Sequence, residues 1–226
     1  MELSPGIHKI DGLNGANSFL VTAGEESAVI DTGLPGNESK IIKYLKGAGV
    51  EPSKLSYIIL THADVDHSGS ASSLKGLTDA KIAIHEADAP RLSGEKKLKE
   101  VKGAMGVLFR VMGPVMRFTP VTPDLTLKDS DRLLDLLVVH TPGHTEGSIS
   151  LYKENSAIFV GDAMRTDSSG WPRLPAAALS VDIELAKESI RKISALRYDL
   201  LLPGHGAPIT SGASEVVAGF VQRGFS

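Results

Sequence analysis

Short β-branched runs that end at glycine, at an acid or at histidine recur along this chain, and a few stretches of helical period separate them. Residues 7–10, 18–22 and 27–31 are apolar or alternating and are broken by Gly12, Gly15 and Gly24, the pattern of a β meander. Asn37 is placed as an N-cap for a helix whose apolar side is Ile41, Ile42, Tyr44, Leu45 and Ala48, with Gly47 and Gly49 to end it. Residues 57–60 read as a buried strand, 68–77 as a helix of small and polar residues, and 81–84 as another strand.

The second half repeats this logic. A strand over 133–140 is followed by two runs, 148–152 and 157–160, on either side of the polar turn Lys153-Glu154-Asn155, as in a hairpin. Asp182 caps a helix with the stripe Ile183, Ala186, Ile190, Ile193 and Leu196, and a last strand covers 200–202. Between the halves, over 88–123, Val101, Ala104, Met105, Leu108, Met112 and Val115 recur at helical spacing, with Pro114 set to kink or end the helix. Met116, Phe109 and Phe118 add to this apolar segment, which reads as core, as a lid over a site or as a dimer contact. The pattern alone gives an α/β protein with helices laid on sheets.

Candidate chemistry begins where the 57–60 run continues into Thr61-His62-Ala63-Asp64-Val65-Asp66-His67. In extended chain His62, Asp64 and Asp66 share one side, and His67 is turned by the element that follows. Imidazole and carboxylate are ligands for zinc, iron and manganese, and one such strand end can serve two adjacent ions. Further ligands must close the two shells. His144 after Gly143, Asp162 after Gly161 and His205 after Gly204 each follow an apolar run. His85 lies just outside the series and reads as a hydrogen-bonded neighbour.

This series resembles the metallo-β-lactamase superfamily, whose signature is His-x-His-x-Asp-His followed by Gly-His, Gly-Asp and a final Gly-His. Asn17-Ser18-Phe19-Leu20-Val21 and Asp31-Thr32-Gly33 are similar to that family's opening, so the resemblance covers essentially the whole chain. One position departs, since Asp64 stands where the family has its second histidine. The resemblance implies an αββα sandwich of two facing mixed sheets with helices on both outer faces. It assigns His62, Asp64 and His144 to one metal, Asp66, His67 and His205 to the other, and Asp162 to a bridge. Because ligands run from 62 to 205, residues 1–226 are read as one domain, with a helical lid-like insertion at about 88–123.

The implied activity is a dinuclear metal-dependent hydrolase using a metal-bound hydroxide on a small ester, thioester or lactone, with Asp66 accepting the hydroxide's proton. Two divalent ions are expected, zinc first, with iron or manganese admitted because Asp64 adds charge and a harder donor. Asp31 reads as a turn-capping carboxylate ahead of a direct metal contact, and a hydrogen bond to a ligand is compatible with both. Trp171, Arg165 and Arg173 either touch substrate or form a surface loop. A carboxylate at position 64 also resembles the di-iron branch of the superfamily, where it is glutamate; those redox proteins join a flavodoxin-like domain that these 226 residues do not contain. A non-catalytic, metal-free scaffold is the third reading.

Composition removes other classes. A formal net charge of −3 and the mixed run Glu95-Lys96-Lys97-Leu98-Lys99 call for neither nucleic acid nor an anionic membrane, leaving a small molecule as partner and a homodimer as one reading of 88–123. With no cysteine there are no disulfides and no thiolate ligands, which excludes the cysteine-ligated β-lactamases. Met1 to Gly6 has no basic region before an apolar core, and no run approaches a membrane span, so the cytoplasm is expected. The stretch after His205 is too short for the helical substrate domain of glyoxalase II enzymes.

Overall fold

The computed structural model describes residues 1–97 and 119–226, and the chain divides into two units, Met1–Leu127 and Lys128–Ser226. The helical reading around Met105 and Met112, with Met116, Phe109 and Phe118, lies outside the described residues.

The first unit is built on a seven-stranded mixed sheet in sequence order. Its strands are β1 (Glu2–Ser4), β2 (Ile7–Ile10), β3 (Ser18–Ala23), β4 (Glu26–Ile30), β5 (Tyr57–Ile59), β6 (Lys81–His85) and β7 (Leu125–Leu127). The expected meander is there, extended by β1, and β1 to β4 pair antiparallel while β4 to β7 pair parallel. Parallel strands are buried on both faces and so read as unbroken apolar runs rather than alternating ones. Helices α1 (Glu38–Gly47) and α3 (Ala71–Gly76) bury Ile41, Leu45 and Leu74 against Ile58, Leu60, Ile82 and Ile84. Each such side chain contributes about 1.5–3 kcal/mol of transfer free energy. The parallel alignment has a functional consequence. Chain leaving β4, β5 and β6 emerges at one edge of the sheet, carrying Asp31, His62 and His85.

Two local expectations are corrected here. Asn37 does occupy the N-cap position of α1, but its side chain makes no cap bond. It donates instead to the carbonyls of Asn14 (2.8 Å) and Thr32 (3.2 Å), fastening two loops. The single helix expected over 68–77 is two, α2 (Val65–Ser68) and α3, because Ser70 Oγ donates to the Leu34 carbonyl at 2.7 Å and accepts the Asn37 N–H at 2.9 Å. The short helix α4 (Ala89–Leu92) follows β6.

The second unit carries β8 (Arg132–Leu133), β9 (Leu136–His140), β10 (Ile149–Lys153), β11 (Ala157–Gly161), the small hairpin β12 (Arg165–Thr166) and β13 (Pro172–Arg173), α5 (Ile183–Ser194), β14 (Leu200–Pro203) and α6 (Ala213–Gln222). Its main sheet runs β14-β11-β10-β9-β8, antiparallel except for the β11–β14 pair. The strand expected over 133–140 is a tight hairpin, with Leu133 opposite Leu136 and Leu134 in the left-handed region at φ 52°. The 153–155 turn forms as expected, with Asn155 at φ 53°. Asp182 caps α5 by accepting from Glu184 and Leu185 N–H, and Ala186, Ile190 and Ile193 are buried. Helix α6 lies beyond the last expected element and packs Val217 and Phe220 into the same core as Tyr198 and Leu201. No helix among the described residues is long and apolar enough to cross a membrane.

Candidate metal centre

In the first unit, chain leaving β5 runs through Leu60 and a bend at Thr61 to His62, and Asp64 is extended (φ −63°, ψ 143°). There α2 begins. Asp66 therefore sits in the first turn of a helix and not on the strand face that alternation predicted. His62 and His67 are both buried, with ring centroids 4.1 Å apart. Asp31, at φ 56° where the chain leaves β4, is buried as well and meets His67. Its Oδ2 accepts from His67 Nδ1 at 2.7 Å and from Thr61 Oγ1 at 2.8 Å, and its Oδ1 accepts from Thr61 N–H at 2.8 Å.

Counting protons then fixes the tautomers. A carboxylate only accepts, so the single Thr61 hydroxyl proton goes to Asp31, and Thr61 Oγ1 is left to accept from His62 Nδ1 at 3.1 Å. Both histidines thus hold their proton on Nδ1 and present Nε2. Such tethering of the other ring nitrogen is how proteins orient imidazole ligands. The contacts of Asp31 with Thr61 and His67 agree with the hydrogen bond to a candidate ligand that both sequence readings allowed.

In the second unit, β9, β11 and β14 run in the same direction, so the residues that follow them emerge at one edge. These are His144, Asp162 and His205. Asp162 Oδ2 faces His144 Nε2 at 3.7 Å and His205 Nε2 at 3.6 Å, one oxygen between two imidazoles. The His144 carbonyl accepts from Val181 N–H at 3.2 Å and the His205 carbonyl from Thr166 N–H at 3.1 Å. Glycine is required beside both. Gly143 (φ 131°) lies against the Ala186 backbone in α5, and Gly206 (φ 100°) against the Thr166 carbonyl, where any Cβ would overlap.

The residues fit a divalent cation in each unit. His62 Nε2 stands 3.6 Å from Asp64 Oδ2, the same separation found around Asp162. That is wider than the about 2.7–3.2 Å of an N–H···O bond. It is close to the about 3.4 Å edge of a tetrahedron with bonds of about 2.1 Å. In the first unit the Nδ1 contact of His62 leaves Nε2 as the ring nitrogen facing Asp64, the pairing of donors that a cation site uses. Nitrogen and oxygen donors without thiolate suit zinc, iron and manganese alike.

Other singled-out residues have structural partners. His85 Nδ1 accepts from Ala87 N–H at 3.3 Å in the turn after β6, as expected of a neighbour. Asp167 is held well below the usual carboxylate range by hydrogen bonds from Ser169 Oγ and Trp171 N–H, with burial opposing and Arg173 and Ser169 N–H adding to it. Arg173 is thereby tied to Asp167 at 2.9 Å, and Trp171 lies under the Arg223 guanidinium at 4.8 Å, so this loop supports itself. Sequence reasoning missed Thr61 and Asp88. Asp88 is fully buried and accepts from Ala63 N–H, between His62 and Asp64, at 3.0 Å. Its only signal was an acid ahead of Ala-Pro, which reads as an ordinary helix start.

A family model for the metallo-beta-lactamase superfamily matches residues 11–205. The probable metallo-hydrolase YflN of Bacillus subtilis (strain 168) is 27% identical over 92% of this chain and 87% of its own length. The acyl-coenzyme A thioesterase MBLAC2 of Homo sapiens is 29% identical over 85% of this chain and 73% of its own. Among solved structures, BJP-1, a subclass B3 metallo-beta-lactamase of Bradyrhizobium japonicum, superimposes with a TM-score of 0.73 at 22% identity, covering 98% of this chain and 89% of that one. The protein TTHA1623, solved in a di-iron-bound form, gives a TM-score of 0.65 at 26% identity over 85% and 88% of the two chains.

Proposed function

Since the chain belongs to the metallo-β-lactamase superfamily, has its α/β fold and is a metal-dependent hydrolase, we propose that it hydrolyses a small thioester, ester or lactone with two divalent cations. In this reading His62, Asp64 and His144 hold one cation, Asp66, His67 and His205 the other, and Asp162 serves both. The observation that carries it is the repeated 3.6–3.7 Å spacing of imidazole Nε2 and carboxylate oxygen in both units. Bound cations supply Lewis-acid polarisation of a carbonyl and make water nucleophilic near neutral pH. The chain's own part is positional. Asp31 and Thr61 hold two imidazoles in one tautomer, Asp162 aligns two more, and Asp66 takes the proton released on attack.

The thioester is placed first because a thioesterase is among the relatives that match most of this chain. The family match runs across both units, which supports reading 1–226 as a single catalytic domain. A cysteine-free chain has nothing to gain from an oxidising compartment, so the cytoplasm is the proposed location. Metal content of protein purified without added metal, followed by thiol release from acetyl- and octanoyl-coenzyme A under anaerobic conditions, tests the reading. About two zinc or manganese ions per chain with turnover supports it. A second reading, a di-iron redox protein, is favoured by Asp64 and by a neighbour solved with two irons. Iron on purification, donor-dependent reduction and no ester cleavage would put that reading first.

A further inference from the structure

Ala63 stands between two of the proposed ligands, and side chains take both of its backbone polar groups. Its N–H donates to Asp88 Oδ2 at 3.0 Å, and its carbonyl accepts from Ser68 Oγ at 3.1 Å. Asp88 sits at the N-cap position of α4 yet makes no side-chain cap bond there. Its second oxygen accepts from Arg91 Nη1 at 3.2 Å, in a pair whose two side chains are 6% and 0% exposed. An acid at a helix start ordinarily turns to the helix's own N–H groups. Here it turns to the loop that carries His62 and Asp64.

We propose that Asp88 is a positioning residue for that loop, fixing by its hold on Ala63 how far Asp64 projects toward a cation, with Arg91 holding Asp88 in place. The proposal rests on Asp64 being a ligand. A carboxylate is shorter than the imidazole the family carries at this position, so it tolerates less drift of the backbone beneath it. The brace compensates for that short reach.

The test is zinc affinity of the apoprotein by competition with a chromophoric chelator, alongside melting temperature, for Asp88→Ala, Asp88→Asn, Arg91→Met and Asp64→Ala. Asp88→Ala is expected to weaken zinc binding by about 10- to 100-fold, the range for partners that orient ligands. Asp88→Asn keeps an acceptor for Ala63 while removing the charge from the Asp88–Arg91 pair. It should melt lower yet bind zinc within about threefold of the parent, a split that loss of fold alone does not produce. In an Asp64→His background, the longer ligand should reduce the effect of Asp88→Ala to less than about tenfold. Native affinity in Asp88→Ala with a loss in Asp64→Ala overturns the brace alone. Unchanged affinity in Asp64→Ala overturns the ligand reading and the proposal with it. Affinity that simply tracks melting temperature across the Asp88 and Arg91 variants also overturns it, and if Asp88→Ala does not fold, Asp88→Asn decides by the same comparison.

Discussion

Asp31→Asn isolates the hydrogen bonds that orient the first-unit histidines. Asparagine tolerates the left-handed backbone at position 31 (φ 56°) as well as aspartate does, and it has the same shape, so neither strain nor a cavity is introduced. Asp31 accepts three bonds in a buried site, from Thr61 N–H, Thr61 Oγ1 and His67 Nδ1. An amide keeps one acceptor. If its NH2 replaces Oδ1 it opposes the Thr61 N–H, and if it replaces Oδ2 it opposes His67 and the threonine hydroxyl. The first arrangement is the cheaper one. It leaves one buried donor unsatisfied, at about 1–3 kcal/mol, and strips the charge from two more bonds, at roughly 1 kcal/mol each. A loss of about 3–5 kcal/mol in the urea unfolding free energy of the apoprotein follows. Zinc affinity should drop about 10- to 100-fold, because the amide oxygen still accepts from His67 Nδ1 but, without charge, no longer raises the basicity of its Nε2. A stability change under about 1 kcal/mol with zinc affinity within about twofold would refute the network.

Three further outcomes are expected. Gly143→Ala, which forces a Cβ against Ala186 at φ 131°, should cost at least about 2 kcal/mol and lower turnover together with stability; a variant that melts like the parent would contradict the close approach. Asp162→Ala should take metal content from about two ions to one or fewer per chain, and unchanged occupancy by elemental analysis would remove Asp162 from the ligands. Asp124 supplies a pH test away from the site. Burial pushes its pKa up, but hydrogen bonds from Lys75 Nζ and Ile82 N–H and the Lys75 charge outweigh that and leave it below the usual value. A depressed folded pKa stabilises fully above the unfolded value of about 3.9 and loses that contribution as pH falls through the lower folded value. The urea midpoints of the parent and Asp124→Asn should therefore converge as pH is lowered from about 5 to about 2, and a constant gap would refute the shift.

The metal loop was legible because its information is local. Four candidate ligands in six positions behind an apolar run leave few alternatives, and the parallel pairing of β4, β5 and β6 sets the start of that loop at the same edge as Asp31 and His85. Legibility failed where a side chain chooses a distant partner over a near one. Asn37 has the position of a cap but serves Asn14 and Thr32, and Asp88 has the position of a cap but serves Ala63. Leu134 gave no warning that it would take a left-handed turn and split one run into a hairpin, because nothing in an apolar side chain marks that conformation. Asp66 was placed by strand alternation, although the helix begins one residue earlier.

The proton arrangement is a further step removed from sequence, and it bears on which cation is chosen. Thr61 and Asp31 together engage Nδ1 of His62 and His67 and so turn Nε2 of each outward. On the proposed ligand set the first unit contributes Asp64 and Asp66, one carboxylate more than the family signature supplies. An added carboxylate raises the attraction for any dication but raises it most for harder ones. On the proposed ligand set, retention of zinc would call for a loop that holds Asp64 at a reach that suits it. That links metal identity to the contact between Ala63 and Asp88, two residues that a reading confined to the ligands would pass over.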